Sequence, residues 1–346
     1  MATQSVTPAA HSRHPPLGLR YRVSGRFSTL GYCVVLCVLV VSTTAAQKPY
    51  SVDEAWRAHF LSRASYCNEG DVIEWRCGAA CRGVPTFQLS DVMSSIITGT
   101  FGFVGVDHTT KQIAVVFRGT TTFQNFLANA LVMKTSYDES SSCGSQCEVH
   151  TGFYVSYFSL REQTRYAVLK LIYANPTYEI LVTGHSLGGA IALLAAADLQ
   201  ERLNSLESAP YKPVSMYTFG SPRVGNLAFV KWVDSLLSKG AKYRITHAGD
   251  FVVVIPAIEW GYVHSASEAF YKTRSKRGVL LCNDFAGRED PECSLGVRPR
   301  SLRDHLWYMG DTTRCNKRDP VINTAVRDVP TVACIISLIG FLCIFL

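Results

Sequence analysis

The 346-residue sequence contains no Asn-x-Ser/Thr acceptor site, so N-linked glycosylation is not expected. No linker or internal repeat divides its middle, which gives no support to a split into separate domains, although the length alone allows one large domain or two small ones. Acidic residues are missing from positions 1–46, which hold Arg13, Arg20, Arg22 and Arg26, so the formal net charge of +7 is partly an end effect. Beyond that stretch 30 basic residues face 27 acidic ones, which makes no case for a nucleic-acid partner. Apolar runs long enough to cross a bilayer comfortably are also missing. What the chain does have is a 47% hydrophobic content, ample for a packed core.

The two shorter apolar runs lie at the chain ends. Residues Leu30 to Val41 follow a basic stretch and precede Ser42-Thr43-Thr44-Ala45-Ala46, the pattern of a signal peptide over residues 1–46 with cleavage before Gln47. An uncleaved anchor is the alternative. Residues Thr331 to Leu346 would span roughly 24 Å as a helix, short of a hydrocarbon core of about 30 Å. With small residues at Asn323-Thr324-Ala325 and the spacer Val326 to Pro330, residues 324–346 resemble a glycosylphosphatidylinositol-anchor signal, and a short tail anchor is the rival. These ends predict a secreted or cell-surface protein, attached to a membrane, with its globular part at 47–323.

Four of the twelve cysteines, Cys33, Cys37, Cys334 and Cys343, fall in the apolar ends. An even set remains: Cys67, Cys77, Cys81, Cys143, Cys147, Cys282, Cys293 and Cys315. Behind a secretory leader these predict disulfides. The Cys77/Cys81 and Cys143/Cys147 spacings are compatible with zinc, but no histidine pattern accompanies them, and no metal is expected.

The most specific signal is Val182-Thr183-Gly184-His185-Ser186-Leu187-Gly188-Gly189, a G-x-S-x-G turn between a buried strand at 178–182 and an Ala/Leu-rich helix at 190–203. A sharp strand-to-helix turn exposes the hydroxyl of Ser186, and small residues at 184 and 188 let the neighbouring backbone pass. The helix N-terminus turns its free N–H groups toward the reacting carbon, with that of Leu187 as the natural oxyanion donor. A catalytically idle Gly-rich turn is the plain alternative.

Around this turn the chain reads as helices alternating with buried strands. Residues 50–95 look irregular, apart from a helix starting at Val52, and 101–106 with 113–117 read as a hairpin. A long helix spans Gly152 to Ala174 and is stopped by Asn175-Pro176. The strand at 214–219, the helix at 226–237 and a last strand at 242–246 follow. This predicts an α/β fold with a mostly parallel central sheet, an antiparallel beginning, and flanking helices. Strand ends then bring Arg118-Gly119-Thr120, Gly220-Ser221-Pro222-Arg223 and His247-Ala248-Gly249-Asp250 around Ser186.

A serine nucleophile needs a base, and the base needs a carboxylate, in the chain order Ser, acid, His. Asp250 at a strand end is the leading acid, ahead of Asp234, Asp284 and Asp311. His264 and His305 both follow it, and the residues alone do not choose between them. His185 reads as structural, and His59, His108, His150 and His247 as packed or surface residues.

Five segments stand in order: Phe117-Arg118-Gly119-Thr120, His150-Thr151-Gly152-Phe153, Gly184-His185-Ser186-Leu187-Gly188-Gly189, Phe219 through Asn226, and Asp304-His305-Leu306. Together they resemble the class 3 lipases, the family of filamentous-fungal triacylglycerol lipases and feruloyl esterases, over roughly residues 55–315. The resemblance implies a disulfide-stapled α/β-hydrolase fold, with Ser186 as nucleophile, Asp250 as orienting carboxylate and His305 as base. It implies an oxyanion hole from Leu187 and Thr120, and the pairs Cys67–Cys315, Cys77–Cys81 and Cys282–Cys293, which leaves Cys143 with Cys147. It also implies a short helical lid after Thr120. Here Phe123, Phe126, Leu127, Ala130 and Leu131 make an apolar stripe at helical spacing, with core packing as its plain alternative. Phe126 and Asn129 stand where relatives often have Trp and Asp.

The expectation is a secreted or membrane-attached serine lipase acting on carboxylic esters at a lipid–water interface, without metal or organic cofactor. A phospholipase A or lysophospholipase is the alternative within the class, and a non-catalytic lipid- or protein-binding module the alternative outside it. The basic run Lys272, Arg274, Lys276 and Arg277 could favour an anionic surface, but reads more simply as a solvated loop.

Overall fold

The structure, a computed structural model, describes residues 47–120, 133–206, 211–274 and 278–315. The two apolar ends and the lid segment with Phe123, Phe126, Leu127 and Leu131 lie outside the described residues. Among the described residues, no helix is long and apolar enough to cross a membrane.

Helices α1 (Val52–Ala64), α2 (Glu69–Ile73) and α3 (Ala79–Arg82) come first. Ser51 caps α1 by accepting from the Glu54 N–H, with Asp53 and Glu54 in the first turn and Arg63 in the last, the arrangement that the helix dipole favours. Strands β1 (Gln88–Ser95), β2 (Thr100–Asp107) and β3 (Gln112–Phe117) then form an antiparallel meander. A small ribbon of β4 (Lys134–Ser136) and β5 (Glu148–His150) leads into α4 (Thr151–Phe158) and α5 (Arg161–Ala174). The alternating part follows as β6 (Glu179–His185), α6 (Leu187–Asn204), β7 (Val214–Phe219), α7 (Leu227–Leu236) and β8 (Lys242–His247). Strands β9 (Glu268–Tyr271) and β10 (Val279–Leu281) and helix α8 (Leu302–His305) complete the described fold.

Eight strands make one sheet in the order β1-β2-β3-β6-β7-β8-β9-β10, parallel from β3 through β9 and antiparallel at both margins. Strands β2, β3, β6, β7 and β8 are buried almost throughout because helices cover both faces. Alternate residues therefore serve two cores. Val115, Phe117 and Val182 pack with α4 to α7, whereas Ala114, Val116 and Leu181 pack with α1. Helix α6 is buried from Gly188 to Gln200 and carries no polar side chain before Asp198, because the core it shares with α4, α5 and α7 encloses that part of it, while its last turn reaches solvent.

Three expectations needed correction. The segment 50–95, expected to be irregular apart from its first helix, ends in β1, an edge strand whose only fully buried residue is Met93, so its sequence lacks the alternation that marks a strand. The helix expected over Gly152 to Ala174 is two helices. Ser159 turns its hydroxyl to Thr98 and Thr100 of the β1–β2 hairpin, and Leu160 is buried between the helices. The strand at 242–246 is not the last. Strand β9 hides its apolar character behind the buried Glu268, and β10 is exposed on the sheet margin.

Candidate active site

At the C-terminal end of β6 the backbone turns through Ser186, which holds φ 59° and ψ −129° before α6 begins. Non-glycine residues avoid that region, and such strain persists only where the surroundings enforce it. The enforcement is visible. A Cβ on Gly184 would lie 2.3 Å from the Gly188 carbonyl oxygen, and one on Gly188 would lie 2.3 Å from that of Phe117, so neither position admits a side chain. Leu187 opens α6, and the first N–H groups of a helix have no intrahelical acceptor.

Three strand ends meet the turn. After β3, a Cβ on Gly119 would sit 3.2 Å from the Cβ of Ser186, so the chain passes against the serine just before Thr120. After β7, the Ser186 N–H donates to the Phe219 carbonyl at 2.9 Å, and a Cβ on Gly220 would meet Asp250 and His305 at 2.9 Å each. After β8, Asp250 follows a tight turn and His305 ends α8. These two segments are tied together by the Ser301 N–H to the Gly249 carbonyl at 2.7 Å and by the Gly249 N–H to the Asp304 carboxylate at 3.2 Å.

The structure pairs His305, and not His264, with Asp250. Nδ1 of His305 lies 2.9 Å from Oδ2 and 3.1 Å from Oδ1 of a fully buried carboxylate. A carboxylate only accepts, so Nδ1 carries the proton and Nε2 keeps a lone pair for a second one. His264 instead bonds the Val253 carbonyl through Nε2 at 2.7 Å, and burial holds it well below the usual histidine range. The other candidate acids are engaged elsewhere: Asp234 with Lys242, Asp284 with Arg244, and Asp311 with Arg314.

Residues overlooked in the sequence complete the cluster. The hydroxyl of Tyr308, three residues after His305, donates to Asp250 Oδ2, while Oδ1 accepts the Val252 N–H at 2.7 Å. Burial and then the charge of Asp250 push the Tyr308 hydroxyl well above its usual value, so it remains a donor. His185 bonds the His305 carbonyl through Nε2 at 2.8 Å and Tyr66 through Nδ1 at 2.8 Å. Because the carbonyl accepts, Nε2 is the donor and Nδ1 receives the Tyr66 proton. Burial and the neighbouring His305 ring keep His185 neutral. Tyr308 lies within one helical turn of His305, a spacing that could have flagged it; Tyr66 is distant in sequence, and nothing local marks it.

Ser186 Oγ and Thr120 Oγ1 are both buried and have no hydrogen-bond partner among the described residues. Buried polar atoms are nearly always satisfied, so two such hydroxyls at the strand ends that meet the Ser186 turn mark a place where a polar ligand atom belongs. The site has what acyl transfer requires: a serine held at a strained backbone turn, an imidazole whose Nδ1 is held by a buried carboxylate, and a helix N-terminus.

The cysteines close as Cys67–Cys315, Cys77–Cys81, Cys143–Cys147 and Cys282–Cys293. Cys282, Asp290 and Cys293 bring metal-ligand atom types within 4.8 Å of one another, but both sulfurs are committed to their disulfide and cannot act as thiolates. Of the basic run, Lys272 and Arg274 are described; Lys272 is exposed and Arg274 lies over the Trp307 ring at 5.2 Å.

Comparison with known proteins concerns the family and the fold. The family model for lipase (class 3) matches residues 114–260. A lipase of Rhizomucor miehei is 34% identical over 90% of this chain and 84% of that protein, and a secreted mono- and diacylglycerol lipase of Fusarium solani is 36% identical over 73% and 74%. The Rhizomucor miehei lipase–propeptide structure superposes with a TM-score of 0.69 at 32% identity, covering 78% of this chain and 84% of that one. The chain belongs to the class 3 lipase family.

Proposed function

We propose that the protein is a serine lipase that hydrolyses acylglycerol-type carboxylic esters through an acyl-enzyme on Ser186. His305 Nε2 accepts the Ser186 proton as Oγ attacks the ester carbonyl, and Asp250 stabilises the imidazolium through Nδ1. The tetrahedral oxyanion forms between the Leu187 N–H and Thr120, which donates through its N–H and hydroxyl. Each such donor contributes about 10²–10³ in rate in comparable sites. Collapse returns the proton from His305 to the departing alkoxide, releasing the alcohol. Water then attacks the acyl-enzyme with His305 again as base, which frees the acid and restores the Ser186 hydroxyl.

The observation that carries this reading is the His305–Asp250 pair beside a serine at positive φ with a buried, unpartnered hydroxyl. It is tested with dissolved short-chain esters and emulsified long-chain acylglycerols. Both are expected to be hydrolysed, and the emulsion rate is expected to rise steeply once the acylglycerol exceeds its solubility. Hydrolysis of phospholipids alone would instead favour a phospholipase, and hydrolysis of neither class a binding module.

The leader at 1–46, together with relatives named as secreted, supports export, with the hydrolase at 47–323. The apolar tail at 324–346 is proposed as a glycosylphosphatidylinositol-anchor signal. Release of cell-bound enzyme by phosphatidylinositol-specific phospholipase C supports that; resistance with an intact C-terminus contradicts it.

A further inference from the structure

Between Asp91 and Asp107 no residue carries a charge, and this stretch forms the β1–β2 hairpin. Its tip is Ser95-Ile96-Ile97-Thr98-Gly99. Turns ordinarily use Gly, Asn, Asp, Ser or Pro, yet here two β-branched apolar residues occupy the apex. Ile96 is 100% exposed and Ile97 98% exposed. The tip is also anchored: the Thr98 hydroxyl bonds those of Thr100 at 2.7 Å and Ser159 at 2.8 Å, and the Thr98 N–H donates to Ser95 Oγ at 3.4 Å. Ser159 adjoins the exposed Phe158, with Val155 also exposed on α4. The result is an apolar apex ringed by hydroxyls, with half-exposed apolar side chains on the helix that anchors it.

Strand register locates this apex relative to the site. Met93 pairs with Gly102, Gly102 with Phe117, and Phe117 with Gly184, so these four residues form one row across the sheet. Ser186 lies two residues beyond the row, and Ile96 and Ile97 lie three and four beyond it. At about 3.3 Å per residue, Ser186 and the strand end Ser95 both lie roughly 7 Å beyond the row, with the Ile96–Ile97 turn following Ser95 at the same edge and three strand spacings, or about 14 Å, to the side. A broad surface that touches the apex therefore lies across the end of the sheet that carries Ser186.

We propose that the Ile96–Ile97 apex is a docking foot for an uncharged or zwitterionic lipid surface, seating the enzyme with Ser186 toward its substrate. This rests on the lipase reading above. The choice of partner follows from chemistry: isoleucine enters the acyl boundary favourably, the partly exposed Ser95 and Thr98 can bond water or headgroups at that depth, and no charge between Asp91 and Asp107 must be desolvated. Fully exposed tandem isoleucines at one apex, rather than scattered singly, are what distinguish an interaction site from ordinary surface.

The test compares the wild-type protein with Ile96→Ser/Ile97→Ser on three readouts: binding to phosphatidylcholine vesicles, hydrolysis of emulsified triolein, and hydrolysis of dissolved p-nitrophenyl acetate. The expected result is an at least tenfold weaker vesicle partition and a parallel loss on subsaturating emulsion. Hydrolysis of the dissolved ester stays within twofold. As a second variant, Ile96→Trp gains fluorescence that brominated phosphatidylcholine quenches. Unchanged partition, no quenching, equal loss on the dissolved ester, or concentration-dependent dimers that need the two isoleucines would each overturn the proposal. If the wild-type protein cleaves the dissolved ester but no emulsion while still binding vesicles, the lipase reading fails and the docking foot stands.

Discussion

His264 and His305 are both buried, both follow Asp250 in the chain, and both sit among charged groups, yet their surroundings are built differently. Around His264, Arg223 is bidentate to Glu289, and Arg244 faces Asp284 and Glu268. Arg223 also donates to the Pro256 carbonyl at 2.9 Å, which fixes the chain just after Asp250. Charges there are matched by countercharges and the ring bonds a carbonyl, although the adjacent Ser265 hydroxyl, like that of Ser186, lacks a partner among the described residues. Around His305 the arrangement is different: a single carboxylate, Asp250, holds Nδ1, and the hydroxyls of Ser186 and Thr120 lack partners among the described residues. A cluster built on paired opposite charges holds a fold together, whereas a lone histidine–carboxylate pair near a serine at a strained backbone turn is prepared for a reacting molecule.

The sharpest way to break this contrast is to delete from each region. Ser186→Ala or His305→Ala is expected to lower kcat/KM on a dissolved ester by at least about 10⁴-fold. His264→Ala should stay within about tenfold per folded molecule; a loss as large as that of His305→Ala would erase the distinction. On the closed side, Arg223→Met strands Glu289 in the interior and should cost about 3–5 kcal/mol of unfolding free energy by denaturant titration. Activity of the remaining folded protein should persist, and a cost under about 1 kcal/mol would show that the pair is not the brace described.

The histidines make the fold acid-sensitive on both sides. Burial lowers His59, His185 and His264 below their unfolded value of about 6.5. Below that pH the unfolded chain binds these protons and the native chain does not, so stability must fall as pH drops, by up to about 4 kcal/mol per pH unit for three such groups. Chemical denaturation at pH 7 and pH 5.5 measures it, and a flat profile contradicts the neutral rings. The smallest expected effect is Tyr308→Phe. Losing one hydrogen bond to a buried carboxylate should lower kcat about tenfold with KM unchanged. A change confined to KM would place Tyr308 outside the positioning of Asp250.

Much of this contrast could be read in the sequence. The G-x-S-x-G turn has a small-residue requirement that the backbone contacts at 184 and 188 explain. Asp250 stood out because it ends a strand. The choice between His264 and His305 was not legible from the residues themselves, because proximity across a fold leaves no local mark, and only the family resemblance separated them. Tyr66 and the partners of His185 were missed for the same reason. Strand β1 was missed because an edge strand with one buried position has no period to detect, and β9 because a buried ion network places Glu268 where an apolar residue is expected. The break after Phe158 was set by a tertiary contact from Ser159 to a hairpin far away in sequence.

The central claim, that Ser186 is activated by the His305–Asp250 pair, is tested most directly by the rate of fluorophosphonate labelling with the adduct located by peptide mapping. The account predicts rapid labelling at Ser186 in the wild-type protein, near-normal labelling in folded His264→Ala, and none detectable in His305→Ala. Labelling that survives in His305→Ala and disappears in folded His264→Ala, or that maps to another serine, would contradict it.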